Sequence, residues 1–376
     1  MKTVFLGGYG AHAPSIRRRC GSRHSRSISS YETHARTEFL SPVTSNGLAT
    51  ASTPGEALLR ATYELIERDA FLIAWMHRLP GTRLDWESHG EKAVVGLCRA
   101  YERRGVDIEL YRLPTDTSVH VVMALGIQRQ GHGPAVVVGL GASLSLSAAA
   151  RSAVLEVAQV RPALRIRMNA AETRERMALL LADPTRVAEL EDHDLLYASP
   201  EMLREFEFLR SSPRGNHPWD EQRRRPGHVP GDLPGDTLGD SHHAMNDAHV
   251  DARAVMHVDA RAAHDATCDD GPAAHAAHAA HDATCDDGHE RELSMLVEEL
   301  RGLGHELLFV DVSPPDMVEL GFYTVRAILP HFQPIHFGAR EPRLGGERLL
   351  QLPKQLGLRS KVATLDELNP MPHPLS

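Results

Sequence analysis

The stretch that most limits how this chain can fold is "TPGEALLRATYELIERDAFLIAWMHRL", residues 53–79. Apolar residues surround its few charges. The spacing predicts one long helix that sits in a core rather than on a surface. Its start is marked by Thr53 at the N-cap and Pro54 at the first helical position. Glu56, three residues after the cap, completes the pattern of a capping box. In the middle of the run stand Glu64, Glu67 and Arg68. Two carboxylates and a guanidinium inside a core-bound helix need a reason, because burying charge is costly unless it is paired.

Spacings of three and four put Glu56, Arg60, Glu64, Glu67 and Arg68 on one helix face. This leaves two readings open. In the first, Glu56, Arg60, Glu64 and Arg68 form a ladder of opposite charges contributing roughly 0.2–0.5 kcal/mol per pair. In the second, the carboxylates bind Mg²⁺ through oxygen and the ion bridges nucleotide phosphates. Arg68 then offers planar donors to a phosphate, and the apolar flanks keep the site partly dry.

Other elements follow from local pattern. "KAVVGLCRAYERRG" reads as a helix ending at Gly105, and "VDIELYRL" alternates as a strand. "HVVMALGIQR" and "PAVVVGLGA" read as a hairpin, and "SAAARSAVLEVAQVR" as a helix stopped by Pro162. Ser152, Glu156 and Gln159 share a face of that helix, either as surface polars or as a second wall of a site. Near the C-terminus, "ELSMLVEELRGLG" reads as a helix and "HELLFVDVS" and "YTVRAILP" as strands. "RLGGERL", from Arg343, reads as a loop without the GK[ST] ending of a phosphate loop. Alternating Pro370, Pro372 and Pro374 favour an extended polyproline II tail. Helices mixed with hairpin strands give an α/β mixed (α+β) class, with sheets packed against helices.

Composition divides the chain into four parts. Residues 1–43 are irregular; the first forty hold seven Lys and Arg against two Glu. Residues 44–210 and 290–376 carry the globular pattern. Residues 211–289 are rich in Pro, Gly, Asp and His and contain duplications, such as "AAHDATCDDG" at 262–271 and 279–288. So few large apolar residues cannot build a core, and the segment reads as a long disordered insertion. His275, His278 and His281 with Cys268 and Cys285 raise a zinc reading, but no cysteine pair has zinc-finger spacing. The net charge of −9 disfavours a nucleic-acid partner. "TVFLGG" is too short for a signal peptide, and no apolar run could span a bilayer, so a cytoplasmic protein is expected. Four cysteines without CxxC spacing argue against a disulfide framework. No GxSxG is present, which disfavours serine hydrolysis.

Several stretches together resemble the YcaO-domain family. "SNGLATASTPGEALLRATYELIERDAFLIAWMHRLP" (45–80) resembles its SNG…EA…ExxERDA segment, and "GLGASLSLSAAARSAVLEVAQVRP" its third motif. "EDHDLLYASPE" (191–201) is similar to a DHxLxY element of the azoline-forming members. "VDVSPPDMVELGFYTVRAILPHFQPIHFG" (310–338) is similar to their late strand segment, and "NPMPHPLS" to their PxPxP ending. The resemblance implies that Mg–ATP activates a backbone amide of a ribosomal precursor peptide. A Cys, Ser or Thr side chain attacks the preceding carbonyl, the amide oxygen is phosphorylated, and loss of phosphate leaves a thiazoline or oxazoline. It implies Glu56, Glu64, Glu67, Arg68, Glu156 and Gln159 as ATP-binding residues, with Glu64, Glu67 and Glu156 toward Mg²⁺. It implies a catalytic role for the tail, Pro370, Pro372, Pro374 and Ser376. It also implies a leader-binding partner resembling ubiquitin-activating enzymes, a flavin dehydrogenase in some systems, and a homodimer.

The sequence departs from the family pattern at three places. The family's earlier ATP motif, GKG followed by SxxxExxER, has no counterpart before residue 45, so an N-terminal truncation relative to the family is expected. Ser152 stands where the third motif has an Arg, with Arg151 one position early. Ala51 and Ser52 stand where the family has Gly and Asn. These departures keep a second reading open: a non-catalytic or degenerate YcaO-like subunit that scaffolds a peptide-modifying complex.

Overall fold

The computed structural model describes residues 3–5, 44–131, 133–210 and 288–376. The low-complexity insertion, with its His and Cys repeats, and most of the basic N-terminal segment lie outside the described residues. The elements in order are β1 (Thr3–Phe5), β2 (Leu48–Ala51), α1 (Pro54–His77), β3 (Thr82–Leu84), α2 (Lys92–Glu102), β4 (Val106–Leu113), β5 (His120–Gln128) and β6 (Val136–Ser143). They continue with α3 (Leu146–Arg167), α4 (Ala171–Ala182), α5 (Leu190–Tyr197), α6 (288–302), β7 (Leu308–Asp311), β8 (Tyr323–Ile328) and α7 (Glu347–Gln355). This is the mixed α and β class expected from the sequence.

Two four-stranded antiparallel sheets organise the chain. One has the order β1-β7-β8-β2, the other β3-β4-β5-β6. In the second, β4, β5 and β6 form a meander through short connections, as alternating patterns and turn residues dictate, while β3 reaches β4 through the segment that carries α2. α1 touches both sheets, against β2 and β8 on one and β4, β5 and β6 on the other. Being faced from both directions explains its apolar girth: Ile66, Phe71, Leu72 and Trp75 are all at most 2% exposed. No described helix is long and apolar enough to cross a membrane.

α3 lies on β5 and β6 at unusually close range. A Cβ on Gly139 would overlap the Ala153 carbonyl, and one on Gly141 the Ala149 carbonyl. Glycine at both positions lets the helix backbone settle onto the strand.

Four local expectations are corrected. Pro162 does not stop α3, which runs on to Arg167. Leu164 is buried beyond it and the Arg161 guanidinium donates to the Pro134 carbonyl at 2.9 Å, so tertiary contacts outweigh the one lost helical hydrogen bond. Thr53 does cap α1, its hydroxyl accepting from the Glu56 amide at 3.2 Å. The reciprocal half of the capping box is replaced, because the Glu56 carboxylate accepts from the Ser52 hydroxyl and from Arg60 instead. The charge ladder forms only this first rung, at 2.5 Å, since Arg68 turns to other partners. "RLGGERL" is not all loop; α7 begins at Glu347 within it.

Candidate functional site

The 45–47 turn and α3 converge on the middle of α1, making three elements in all. The turn at 45–47 is held by the Leu48 amide donating to the Ser45 carbonyl at 2.9 Å. Gly47 adopts φ +80°, where a Cβ would also stand 2.7 Å from the Ala327 carbonyl, so only glycine fits. This conformation aims the Gly47 amide at Glu64 Oε2, 3.0 Å away. From the third element, α3, Glu156 approaches Arg68, with Arg68 Nη2 at 3.6 Å from Glu156 Oε1. Arg68 Nε lies 3.8 Å from Glu67 Oε1. The other Glu156 oxygen accepts from the Leu140 amide of β6, which fixes the carboxylate on the sheet.

Glu64, Glu67 and Glu156 therefore crowd one guanidinium. Glu67 is 12% exposed and Arg68 14%. Loss of solvent pushes the Glu67 carboxyl up to about 8; Arg68 opposes the shift, and Glu156 and Glu64 add to it. Glu64 is also raised, chiefly by burial, with Arg68 and the Gly47 amide opposing. Arg326 of β8 also acts on Glu64, so three carboxylates face two guanidinia, an excess of one negative charge when all are ionised. That imbalance fits a bound divalent ion. Among the described residues, however, no three Asp, Glu, His or Cys side chains converge tightly enough to hold a metal by themselves. Mg²⁺ is commonly held by one or two carboxylates with phosphate oxygens completing its shell, and this donor set fits that mode.

The remaining expected residues are dispersed. Glu56 sits at the start of α1 on Ser52 and Arg60, and these partners hold its carboxyl below the usual range against the opposing effect of burial. Gln159 is exposed, one turn beyond Glu156 on α3.

Asp69, next to Arg68, faces elsewhere and was not singled out from sequence. It is 1% exposed and pairs with Arg348 of α7 at 2.8 Å. Asp116 grips the same guanidinium at 2.7 Å, and the Phe332 ring lies 4.2 Å beneath it. The Gln333 amide also donates to Asp69, at 2.7 Å. The signal available was an Asp inside a core helix, which must be paired.

The Pro-rich tail is buried over Pro372–Leu375. Trp75 Nε1 donates to the Met371 carbonyl at 3.0 Å, and the Tyr197 hydroxyl donates to the Pro372 carbonyl. His193 Nδ1 donates to the His373 carbonyl at 2.7 Å. The Ser376 side chain hydrogen-bonds Asp194, which pairs with Arg167 of α3 at 2.6 Å. Among the described residues, no hydrogen bond or ion pair joins Ser376 to Glu64, Glu67 or Glu156. The tail nevertheless runs beside α1: the His373 ring meets Phe71, one turn past Arg68, edge-on at 6.3 Å between centroids.

Comparison with known proteins places these features in context. The family model for YcaO cyclodehydratase, ATP- and Mg²⁺-binding, matches residues 26–333. A solved heterocyclase in complex with substrate and cofactor superposes with a TM-score of 0.59 at 21% identity, covering 92% of this chain and 35% of that one. The heterocyclase TruD gives 0.57 at 20% identity, covering 92% and 36%. An uncharacterized protein of Methanothermobacter thermautotrophicus is 32% identical over 117 residues, 31% of this chain and 30% of that protein. The matches span about a third of the length of these three proteins.

Proposed function

This chain belongs to the YcaO family, and from that membership we propose that it acts in ATP-dependent cyclodehydration of a ribosomal precursor peptide, turning Cys, Ser or Thr into thiazoline or oxazoline. The observation that carries the reading is the cation-short set of Glu64, Glu67 and Glu156 around Arg68. Such a set is poor as a structural ion pair and suited to a nucleotide-bound Mg²⁺.

In this reading Glu64, Glu67 and Glu156 would supply carboxylate oxygens toward a Mg²⁺ whose shell phosphate completes, and Arg68 would contact a phosphate. Glu56 and Gln159, at either side, are proposed as further nucleotide-binding residues. Bound Mg–ATP supplies the chemistry that makes an amide oxygen a leaving group. The protein's own work is to position and to exclude water. The Gly47 amide and the Leu140 amide hold Glu64 and Glu156 in place. Tail residues Pro370, Pro372, Pro374 and Ser376 are proposed to face the peptide where a proton is moved. A leader-binding partner resembling ubiquitin-activating enzymes, a flavin dehydrogenase and a second copy of the chain are proposed as associates, in the cytoplasm.

The test is reconstitution of the chain with such a partner and precursor peptide. The expected result is phosphate release with loss of one water per ring, abolished by Glu67→Gln. The absence of a tight three-ligand metal cluster among the described residues favours a second reading, a non-catalytic scaffolding subunit. Calorimetry that finds no nucleotide binding, even with the partner present, would select the scaffold.

A further inference from the structure

Proline has no amide hydrogen, so a PxPxP segment cannot donate along a sheet ladder as an ordinary strand does. It can be held only through its carbonyls and the few amides between its prolines. Three successive carbonyls here, those of Met371, Pro372 and His373, each accept one hydrogen bond from a ring-borne donor. The donors are the Trp75 indole, the Tyr197 phenol and the His193 imidazole. Two of the three come from α5, which also supplies Asp194 for Ser376. A few residues earlier, Asn369 is tied to α1, its amide donating to the Met76 carbonyl at 2.7 Å.

His193 is committed to this task at both nitrogens. Its Nε2 accepts from the Gly338 amide at 3.0 Å, so the ring proton sits on Nδ1 and is donated to the His373 carbonyl. Its ring also stacks on His373, with centroids 4.2 Å apart. His373 is fixed in turn: Nε2 donates to the His336 carbonyl at 2.5 Å and Nδ1 accepts from the Leu375 amide at 3.3 Å. Neither imidazole keeps a free nitrogen for acid–base chemistry.

We propose that α5 is the receptor for the Pro-rich tail, and that His193 and Tyr197 are positioning residues that set the register of residues 374–376 along α1. The inference deepens the cyclodehydratase reading for its effect on turnover, while the seating of the tail stands apart from it. The full chain is compared as wild type, Tyr197→Phe, His193→Gln and His193→Asn. Asn places an amide N–H near the position of Nδ1; Gln reaches toward Nε2 and leaves the His373 carbonyl without its donor. Hydrogen exchange of the peptide 369–376 is read by mass spectrometry.

Tyr197→Phe and His193→Gln are expected to speed exchange of this peptide about tenfold, as loss of one net hydrogen bond implies. Exchange of β4–β6 should be unchanged, and His193→Asn should restore most of the protection. A purely structural role for α5 would move β4–β6 and the tail together, which would overturn the proposal. So would tail exchange equal to wild type in Tyr197→Phe, which removes a single oxygen and decides alone if the His193 variants do not fold. In the reconstituted reaction, Tyr197→Phe is expected to lower kcat about tenfold with the KM for ATP unchanged. If no reaction is observed with the wild type, the azoline reading fails while the exchange result still judges the clamp.

Discussion

Glu67 and Glu156, from two different helices, are both within 4 Å of the Arg68 guanidinium, at 3.8 and 3.6 Å. Burial, opposed by Arg68 and reinforced by the charges of Glu156 and Glu64, leaves Glu67 holding a proton near neutrality.

A divalent ion that binds here must displace that proton. At pH 7, binding of Mg²⁺ with a non-hydrolysable ATP analogue is expected to release up to one proton from Glu67. Calorimetry in two buffers of different ionisation enthalpy measures it. Release should fade above about pH 9, where Glu67 has already ionised. Binding with no buffer dependence at pH 7 would contradict the assignment of Glu67 as the group displaced.

Glu67 also sets a pH dependence of stability. Its folded carboxyl titrates near 8 against an ordinary value of 4.5, so the folded state binds more protons across that window. Its contribution to stability therefore falls as pH rises from about 4.5 to 8. Glu67→Gln removes the titration. The variant should gain stability over wild type progressively through this range, level off above it, and lose nucleotide binding. Urea midpoints at several pH values check the first point.

The buried histidines act in the opposite sense. Burial, with His193 and Arg343 nearby, pushes His336 down to about 4, and burial likewise depresses His193 and His373. The unfolded chain takes up these protons first as pH drops below about 6.5. The histidines' contribution to stability should fall as pH drops from 6.5 to about 4, and His336→Gln should remove part of it relative to wild type. Thermal unfolding across the range is the measurement.

Two glycines offer a geometric test. Gly47→Ala forces a side chain into φ +80° and against the Ala327 carbonyl. It is expected to cost about 1–3 kcal/mol and to turn the amide away from Glu64. Gly141→Ala would push α3 off β6, with a similar cost of about 1–3 kcal/mol. It should also weaken nucleotide binding, because Glu156 rides on α3. Denaturant titration and calorimetry read the two effects separately.

Much of this architecture was legible because it is local. The Thr53 cap, the span of α1 and the β4–β6 meander all follow from patterns within a few residues, whereas α2 ends at Glu102, three residues before the Gly105 expected to end it. What was not legible depends on partners far away in the chain. Pro162 reads as a stop until Leu164 and Arg161 are seen anchored in the core. Arg68 reads as the last rung of a ladder until α3 brings Glu156 to it. Glu64, Glu67, Arg68 and Glu156 were found by motif and do come together, whereas Gln159 points to solvent and Glu56 keeps to its own pair. Asp69 and Arg348, 279 positions apart, share no local pattern at all. The tail was flagged by its prolines, but its holders, Trp75, His193 and Tyr197, look like ordinary core aromatics until their donors are traced.

The Asp69–Arg348 pair bears on how α1 behaves under charge. Glu64 and Glu67 stand on one side of α1, where Glu156 of α3 and Arg68 meet them. Asp69 projects about 100° away from Arg68 around that axis and is fastened to a guanidinium that Asp116 and Phe332 hold in turn. A change in the protonation of Glu67 therefore meets a helix already fastened to α7 by a different pair.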